Sequence, residues 1–318
     1  MRGRAQITLL PDRRRLHLHD GPIDLIIEAF GDAGQISAAY QAAADRFVDV
    51  LDELCDELSL LRQPARHGGP PALGVIARRM QVAVAPYCER TFITPMAAVA
   101  GAVAEEILAS MTSAASLSRG YVNNGGDIAL HLAPAESFAV GMIERPDRPS
   151  LFGKIELHSS QPVRGIATSG WRGRSFSLGI ADSVTVLAGR AAIADTAATI
   201  IANAIDLPGH PSVIRVPARD LAPDSDLGDR LVTQAVGELS YDEIAAALDA
   251  GVTLARSLLF DGLICSAALH LGESTRIVDS VSEPGRHPLP SPRPFSATSA
   301  ILAVDLRKPQ KQQIRVEA

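Results

Sequence analysis

In the stretch SVTVLAGRAAIADTAATIIANAID, residues 183–206, almost every side chain is too small or too apolar to do chemistry. Asp195 and Thr199 are the exceptions. They stand four residues apart in a segment whose composition reads as helix, which puts them on one helical face. One carboxylate and one hydroxyl aimed at the same point suit a hard divalent cation such as Mg2+, which takes one or two carboxylates and keeps several waters. The plainer alternative is that Asp195 is a first-turn acid favoured by the helix dipole and Thr199 bonds back to a carbonyl.

Two further stretches carry polar groups at glycines. In NNGGDIALHL, Asn124-Gly125 between β-type segments is a strong hairpin signal, and a plain turn accounts for it. The functional alternative uses Gly125 and Gly126 for close backbone approach to a ligand, with Asn123, Asn124 and Asp127 as polar contacts. In GIATSGWRGRSFSLG, Thr168 and Ser169 offer hydroxyls and Gly170 offers backbone access. Arg172 and Arg174 could anchor an anionic group. A solvated loop is the alternative there. Asp127 and Asp182 are the candidate acid–base groups. The histidines have no ligand spacing beyond His17 and His19, no G-x-S-x-G nucleophile motif is present, and the glycines form neither a P-loop nor G-x-G-x-x-G.

These residues need elements to hold them. Over residues 4–30, AQITLL and LHLH followed by Asp20-Gly21-Pro22 and IDLIIEA read as β segments around a turn, their alternation suiting a hairpin at a sheet edge. Apolar spacing from Gln35 to Leu61 predicts one long amphipathic helix. A loop follows over 62–71, and GVIARRMQVAVAPY reads as helix and then extended chain. An Ala-rich helix is expected over 96–111, and β segments at GYVNN, DIALHL, FAVGMI and GKIELHS. The expectation continues with a strand and helix over 183–206, a β segment at PSVIRVPA, a helix over 241–260, and a last β segment near GLICSAALHL. The Pro- and Ser-rich stretch 276–318 reads as a largely disordered tail in which SAILAVDL could dock as a strand. Mixed α+β follows, with long helices on antiparallel sheet, and one domain over 1–275.

Composition sets the outer bounds. The 318 residues are 47% apolar and 21% charged, an ordinary globular balance. A net charge of −6 argues against a general nucleic-acid binder, since such proteins neutralise phosphates with a basic face. Cys55, Cys88 and Cys265 have neither zinc nor disulfide spacing. The start, MRGRAQITLLPDRRR, lacks a signal-peptide core, and no apolar run reads as long enough to cross a bilayer. A soluble cytoplasmic protein with no membrane partner is the expectation.

Taken in order, the three polar stretches resemble the ApbE-like family, the FAD:protein FMN transferases, and more closely its shorter, divergent branch. The family's Gly-rich helix start corresponds to PMAAVAGAVAEEIL at 95–108. Its Gly-Gly-Asn/Asp turn corresponds to Gly125-Gly126-Asp127, and its Thr-Ser-Gly to Thr168-Ser169-Gly170. Its strand-to-helix segment corresponds to Ser183–Val186 followed by Ala194–Thr199. The resemblance covers roughly residues 80–206. It implies a T-fold-like α+β architecture, a flavin or other anionic small-molecule ligand, and Mg2+ held by Asp195, Thr199 and a backbone carbonyl near Ala98. A homodimer is a further expectation.

The departures are equally specific. A His-Ile-Asp-Pro-x-Thr-Gly segment precedes the strand in family transferases, whereas this chain has RSFSLGIADSVTV, with Asp182 as its one acid. Gly101 replaces the lysine of the family's Gly-Gly-Ile-Ala-Lys-Gly run, and its N-terminal Met-Gly/Ser-Thr segment is not visible. The cation half of the implied site is present and the base half is not. Three readings follow: an ApbE-like enzyme with altered chemistry, a non-catalytic flavin- or nucleotide-binding protein, and a genuine Mg-dependent flavin transferase.

Overall fold

The fold is known from a computed structural model, which describes residues 4–143, 151–280 and 301–302. Alternation writes its first strands. β1 (Gln6–Leu9), β2 (Leu16–Asp20) and β3 (Ile23–Phe30) form a meander in which Leu16, Leu18, Leu25 and Ile27 point into the core while His17, His19 and Asp24 point out. The helical segment that follows is in three pieces, α1 (Ala33–Phe47), α2 (Val50–Asp56) and α3 (Leu58–Leu61). The predicted single helix is therefore broken twice. Apolar spacing reports which face is buried, and it survives tight turns at Val48-Asp49 and Glu57. Glu57 spends its carboxylate on the N–H groups of Leu73 and Gly74, at 2.7 and 2.6 Å.

α4 (Val75–Val84) runs into a 3-10 turn at Ala85–Tyr87, so the stretch expected to become extended stays helical. Ile76, Ala77, Met80, Ala83 and Val84 keep a buried helical stripe to its end, and packing overrides the β preference of its valines. A 3-10 turn at Pro95–Ala98 leads into α5 (Val99–Ala114). Then come β4 (Arg119–Asn124), β5 (Asp127–Leu132), β6 (Ser137–Ile143), β7 (Leu151–His158), β8 (Gly165–Ser169), β9 (Ser183–Ala188) and α6 (Ala191–Ala204). The remainder is β10 (Val213–Pro217), α7 (Ala218–Leu221), β11 (Leu231–Val236), α8 (Tyr241–Phe260), β12 (Ser266–Leu271), β13 (Ser274–Asp279) and β14 (Ile301–Leu302).

Nine strands make one sheet in the order β1-β2-β3-β4-β5-β8-β9-β12-β13, and every neighbouring pair is antiparallel. α5 lies on β4 and β5, α6 on β8 and β9, and α8 on β12 and β13. Their small residues (Ala102, Ala104, Ala194, Ala197, Ala198) bring helices close to the sheet. The opposite face carries a second cluster of Tyr121, Ile128, Leu130, Phe138, Leu157 and Ile166, where the small sheet β14-β6-β7 covers the large one. β10 and β11 form a separate ribbon with a bulge at Ile214/Arg215; β11 had no counterpart in the sequence reading.

Four further readings meet the structure. Gly165–Ser169, for which a solvated loop was the alternative, is an interior strand. β13 reaches Asp279, so the sheet extends past the expected boundary at 275. Of the tail, Ile301 and Leu302 pair in parallel with Ala139 and Val140 of β6; residues 281–300 and 303–318 lie outside the described residues. One segment, Pro95–Ala114, is long and apolar enough to cross a membrane by length and composition, contrary to the reading of the sequence. In the fold it is a core helix, with Ala102, Val103, Ile107 and Met111 buried.

Candidate functional site

The β4–β5 turn begins the site. Gly125 (φ 67°) and Gly126 (φ 119°) take backbone conformations that disfavour a side chain, so Asn124 and Asp127 pair directly across a tight hairpin end. Asn123 Oδ1 accepts the Gly126 N–H at 2.9 Å and holds the turn shut. Asn124 faces the helices, where its Nδ2 donates to the Ala100 carbonyl at 3.2 Å. That bond ties the turn to the first residues of α5.

The same end of α5 holds Asp195. The Gly101 N–H donates to Asp195 Oδ2 at 3.0 Å, and the Ala100 N–H adds a second bond. Only glycine fits at 101. A Cβ there would lie 2.4 Å from the Ala191 carbonyl oxygen, so α5 and α6 touch backbone to backbone at this point. α6 places Thr199 one turn beyond Asp195 on the same face.

These contacts set two half-buried carboxylates, Asp127 and Asp195, close enough to act on each other. Burial pushes Asp127 up to about 7, against the pull of the Arg174 charge and the Thr168 N–H. Burial also raises Asp195 well above the usual carboxylate range, and the Asp127 charge raises it further, while the Gly101 and Ala100 amides oppose the rise. Such a pair favours whatever brings positive charge between its oxygens, either a shared proton or a cation. Among the described residues no three His, Cys, Asp or Glu side chains gather to hold a metal ion. A cation would draw on Asp195, Thr199, a carbonyl near Ala98 and water, an all-oxygen set that fits Mg2+, with the Asp127 charge nearby.

The other predicted residues divide between two places. Thr168 turns its hydroxyl to the far face of the sheet, 2.9 Å from Thr185 Oγ1, while its N–H serves Asp127. Ser169 is paired with Val184, and Gly170 passes close to the Asp182 carbonyl. Arg174 lies over Gly125. A Cβ there would come within 1.7 Å of its guanidinium. Arg172 instead stacks on Trp171, 4.2 Å from the ring centre, and its Nε donates to Asp182 at 2.5 Å. Asp182 also accepts from Trp171 Nε1 at 3.2 Å and the Gly272 N–H at 2.8 Å. It is a buried tether between the 170–182 loop and the β12–β13 turn, bordering a cavity of about 410 Å3 that Glu238, Tyr241 and Glu273 also line. No hydrogen bond joins it to Asp127 or Asp195.

Sequence reasoning missed the amides of Ala100 and Gly101. The signal was there, since a lone glycine inside an Ala-rich helical pattern usually has a packing reason. It also missed Glu105, which accepts from Arg79 (3.1 Å), Arg190 (2.6 Å) and the Ala192 N–H (2.9 Å) and so fixes the start of α6 against α5.

An open antiparallel sheet roofed by long helices, with acids from a hairpin and a helix meeting beneath a Gly-containing helix start, makes this an ApbE-like α+β protein. The family model described as AbpE bacteria matches residues 7–277, and the chain belongs to that family. Among curated relatives, a UPF0280 protein of Methanopyrus kandleri is 41% identical over 129 residues, 40% of this chain and 48% of the relative. A UPF0280 protein of Methanobrevibacter smithii is 37% identical over 150 residues, 46% of this chain and 59% of the relative. The matched region spans about half the length of these relatives. Among solved structures, flavin transferase ApbE from Vibrio cholerae aligns with a TM-score of 0.44 at 12% identity, covering 87% of this chain and 98% of that one. Flavinyl transferase ApbE from Pseudomonas stutzeri, in its apo form, aligns with a TM-score of 0.44 at 10% identity, covering 86% and 94%.

Proposed function

We propose that this protein is an ApbE-like enzyme of altered chemistry that binds a flavin, a nucleotide or a related small anion beside a divalent cation. The observation that carries this reading is the Asp127–Asp195 pair, two half-buried carboxylates within electrostatic reach of each other, with Arg174 lying over Gly125 in the adjoining turn. Asp195 and Thr199, with a carbonyl near Ala98, are the cation ligands. When bound, Mg2+ neutralises charge on a phosphate-type group. Arg174 anchors the anion beside the Gly125-Gly126 turn, with Asn123 and Ser169 at its margins; Thr168 contributes its N–H to Asp127, and the space freed at Gly170 is taken by the Asp182 carbonyl. While no cation is bound, burial lifts Asp127 to about 7, where it can hold or release a proton near neutral pH, as a general acid–base group requires. Asp182 is the weaker choice for that role, because its oxygens already serve Trp171, Arg172 and Gly272. Arg172 is likewise committed to Asp182.

The flavin rests on family membership, and the cation on the donor set. A second reading is binding without catalysis: RSFSLGIADSVTV puts no histidine where family transferases have theirs, which weighs against flavin transfer and is met equally by altered chemistry and by binding alone. Protein flavinylation is the third.

The test is a thermal-shift and calorimetric titration with FAD, FMN and ADP, each with and without Mg2+, on wild type and Asp195→Ala. A ligand that binds only the folded state raises Tm by mass action. Mg2+-dependent stabilisation that disappears in the variant supports the site. No response to any of the three ligands, with or without Mg2+, rejects it.

A further inference from the structure

We infer that Arg174 couples the two halves of this site, so that an anion and a divalent cation bind cooperatively through its charge. The inference rests on the reading above, that the acid pair takes a cation. Among the described residues Arg172 is held by Asp182, whereas Arg174 is in no ion pair and is exposed to solvent. Its guanidinium lies where a side chain at 125 would otherwise be: a Cβ there would be 1.7 Å from Nη2, 2.5 Å from Cζ and 3.1 Å from Nε. Gly125 therefore provides the berth, and the conformation of the turn (φ 67°) keeps glycine there. From this berth the Arg174 charge reaches Asp127, which is itself within electrostatic reach of Asp195.

The consequence is electrostatic. With no anion bound, the guanidinium partly neutralises the carboxylate pair and repels an incoming cation. An anion that pairs with Arg174 cancels that repulsion and adds an attraction of its own. Cation affinity then rises when the anion binds, and by linkage anion affinity rises equally when the cation binds. Arg174 binds the anion directly and acts on the cation through its charge alone, contributing no ligand to it.

The experiment measures Mn2+ affinity of the full chain by electron paramagnetic resonance of free Mn2+, with and without inorganic phosphate. In wild type, saturating phosphate is expected to tighten Mn2+ binding by about fivefold or more, the lower end of ordinary coupling between sites. Arg174→Gln is expected to bind Mn2+ more tightly than wild type without phosphate and to gain nothing when phosphate is added. Arg174→Lys, which keeps the charge, restores part of the coupling. Equal phosphate-free affinities in wild type and Arg174→Gln, or coupling that survives in Arg174→Gln, overturns the inference while leaving the cation site standing. Absence of Mn2+ binding in both proteins overturns the cation site and the coupling together. Unchanged Tm in Arg174→Gln is the control for folding, as expected for an exposed side chain.

Discussion

At the scale of single residues, Gly101 decides both packing and chemistry. Its missing side chain lets the backbones of α5 and α6 meet, and its N–H orients Asp195. In Gly101→Ala the new methyl would sit 2.4 Å from a backbone oxygen, which cannot swing aside as a flexible side chain would. The expected cost is at the top of the overpacking range, about 3 kcal/mol, read as a lower urea midpoint at unchanged slope. If Asp195 binds Mg2+ as proposed, the variant is also expected to lose the Mg2+-dependent thermal shift, because forcing α5 and α6 apart moves the backbone N–H at 101 away from the carboxylate. A Gly101→Ala protein as stable as wild type would mean that the helices can separate without cost. The sequence made Asp195 and Thr199 legible, since i, i+4 spacing is a local property of a helix. It hid the partnership of Asp195 with Asp127, which comes from a hairpin far away in the chain and is created by sheet order and a helix crossing.

At the scale of elements, two helix starts are secured by acids in different ways. α6 has no side-chain cap of its own; Glu105 of α5 supplies the acceptor for the Ala192 N–H and binds Arg79 and Arg190 as well. Glu105 is 10% exposed, but Arg190 is 41% exposed, so solvent screens part of the network. Glu105→Gln is therefore expected to cost about 2 kcal/mol, less than the loss of a fully buried partner. Chemical denaturation measures it, and no change would mean that water replaces the carboxylate freely. α8 begins with a capping box: the Ser240 hydroxyl accepts from the Glu243 N–H, and Glu243 accepts from the Ser240 N–H at 2.7 Å. The Ser240 N–H first, then His210 and the Ser240 hydroxyl, hold Glu243 down to about 2 from its ordinary 4.5. A carboxylate depressed in the folded state stabilises above its unfolded value, and that stability is lost as pH falls towards the folded one. The Tm advantage of wild type over Glu243→Gln is thus expected to be full at pH 7 and to shrink between about pH 4.5 and pH 2. A gap that does not change with pH would assign the effect to lost hydrogen bonds alone. Most elements were legible from apolar period, including α5, α6 and α8, and the β4–β5 hairpin from its Asn124-Gly125 turn. The misreadings fall where periodicity is silent: turns inside the 35–61 helical run, the valine-rich end of α4, and β8, whose glycine and hydroxyl residues look like loop until neighbours cover both sides.

At the scale of the whole molecule, protection should follow coverage. β4, β5, β8 and β9 lie in the interior of the nine-stranded sheet, with helices on one face and the β6–β7 side on much of the other. β1 is the opposite case, an edge strand exposed along its full length, with Ile7 and Leu9 44% and 49% open to solvent. β13 is the other edge and leaves Ile277 59% exposed. Local opening of an edge costs only its own few contacts, whereas opening β9 exposes α6 and both neighbouring strands. Native-state hydrogen exchange is therefore expected to find the slowest amides in β4, β5, β8, β9, α5 and α6, approaching the global unfolding rate. β1 and the β10–β11 ribbon should exchange orders of magnitude faster. The comparison has a second use, because an unpaired edge with apolar side chains is a template for another chain. If β1 exchanges as slowly as β9 at high protein concentration and speeds up on dilution, a second copy is pairing there, and the exposed row of Ile7 and Leu9 is its interface. If β1 is fast at every concentration, its edge is free in solution, and any self-association must use another surface.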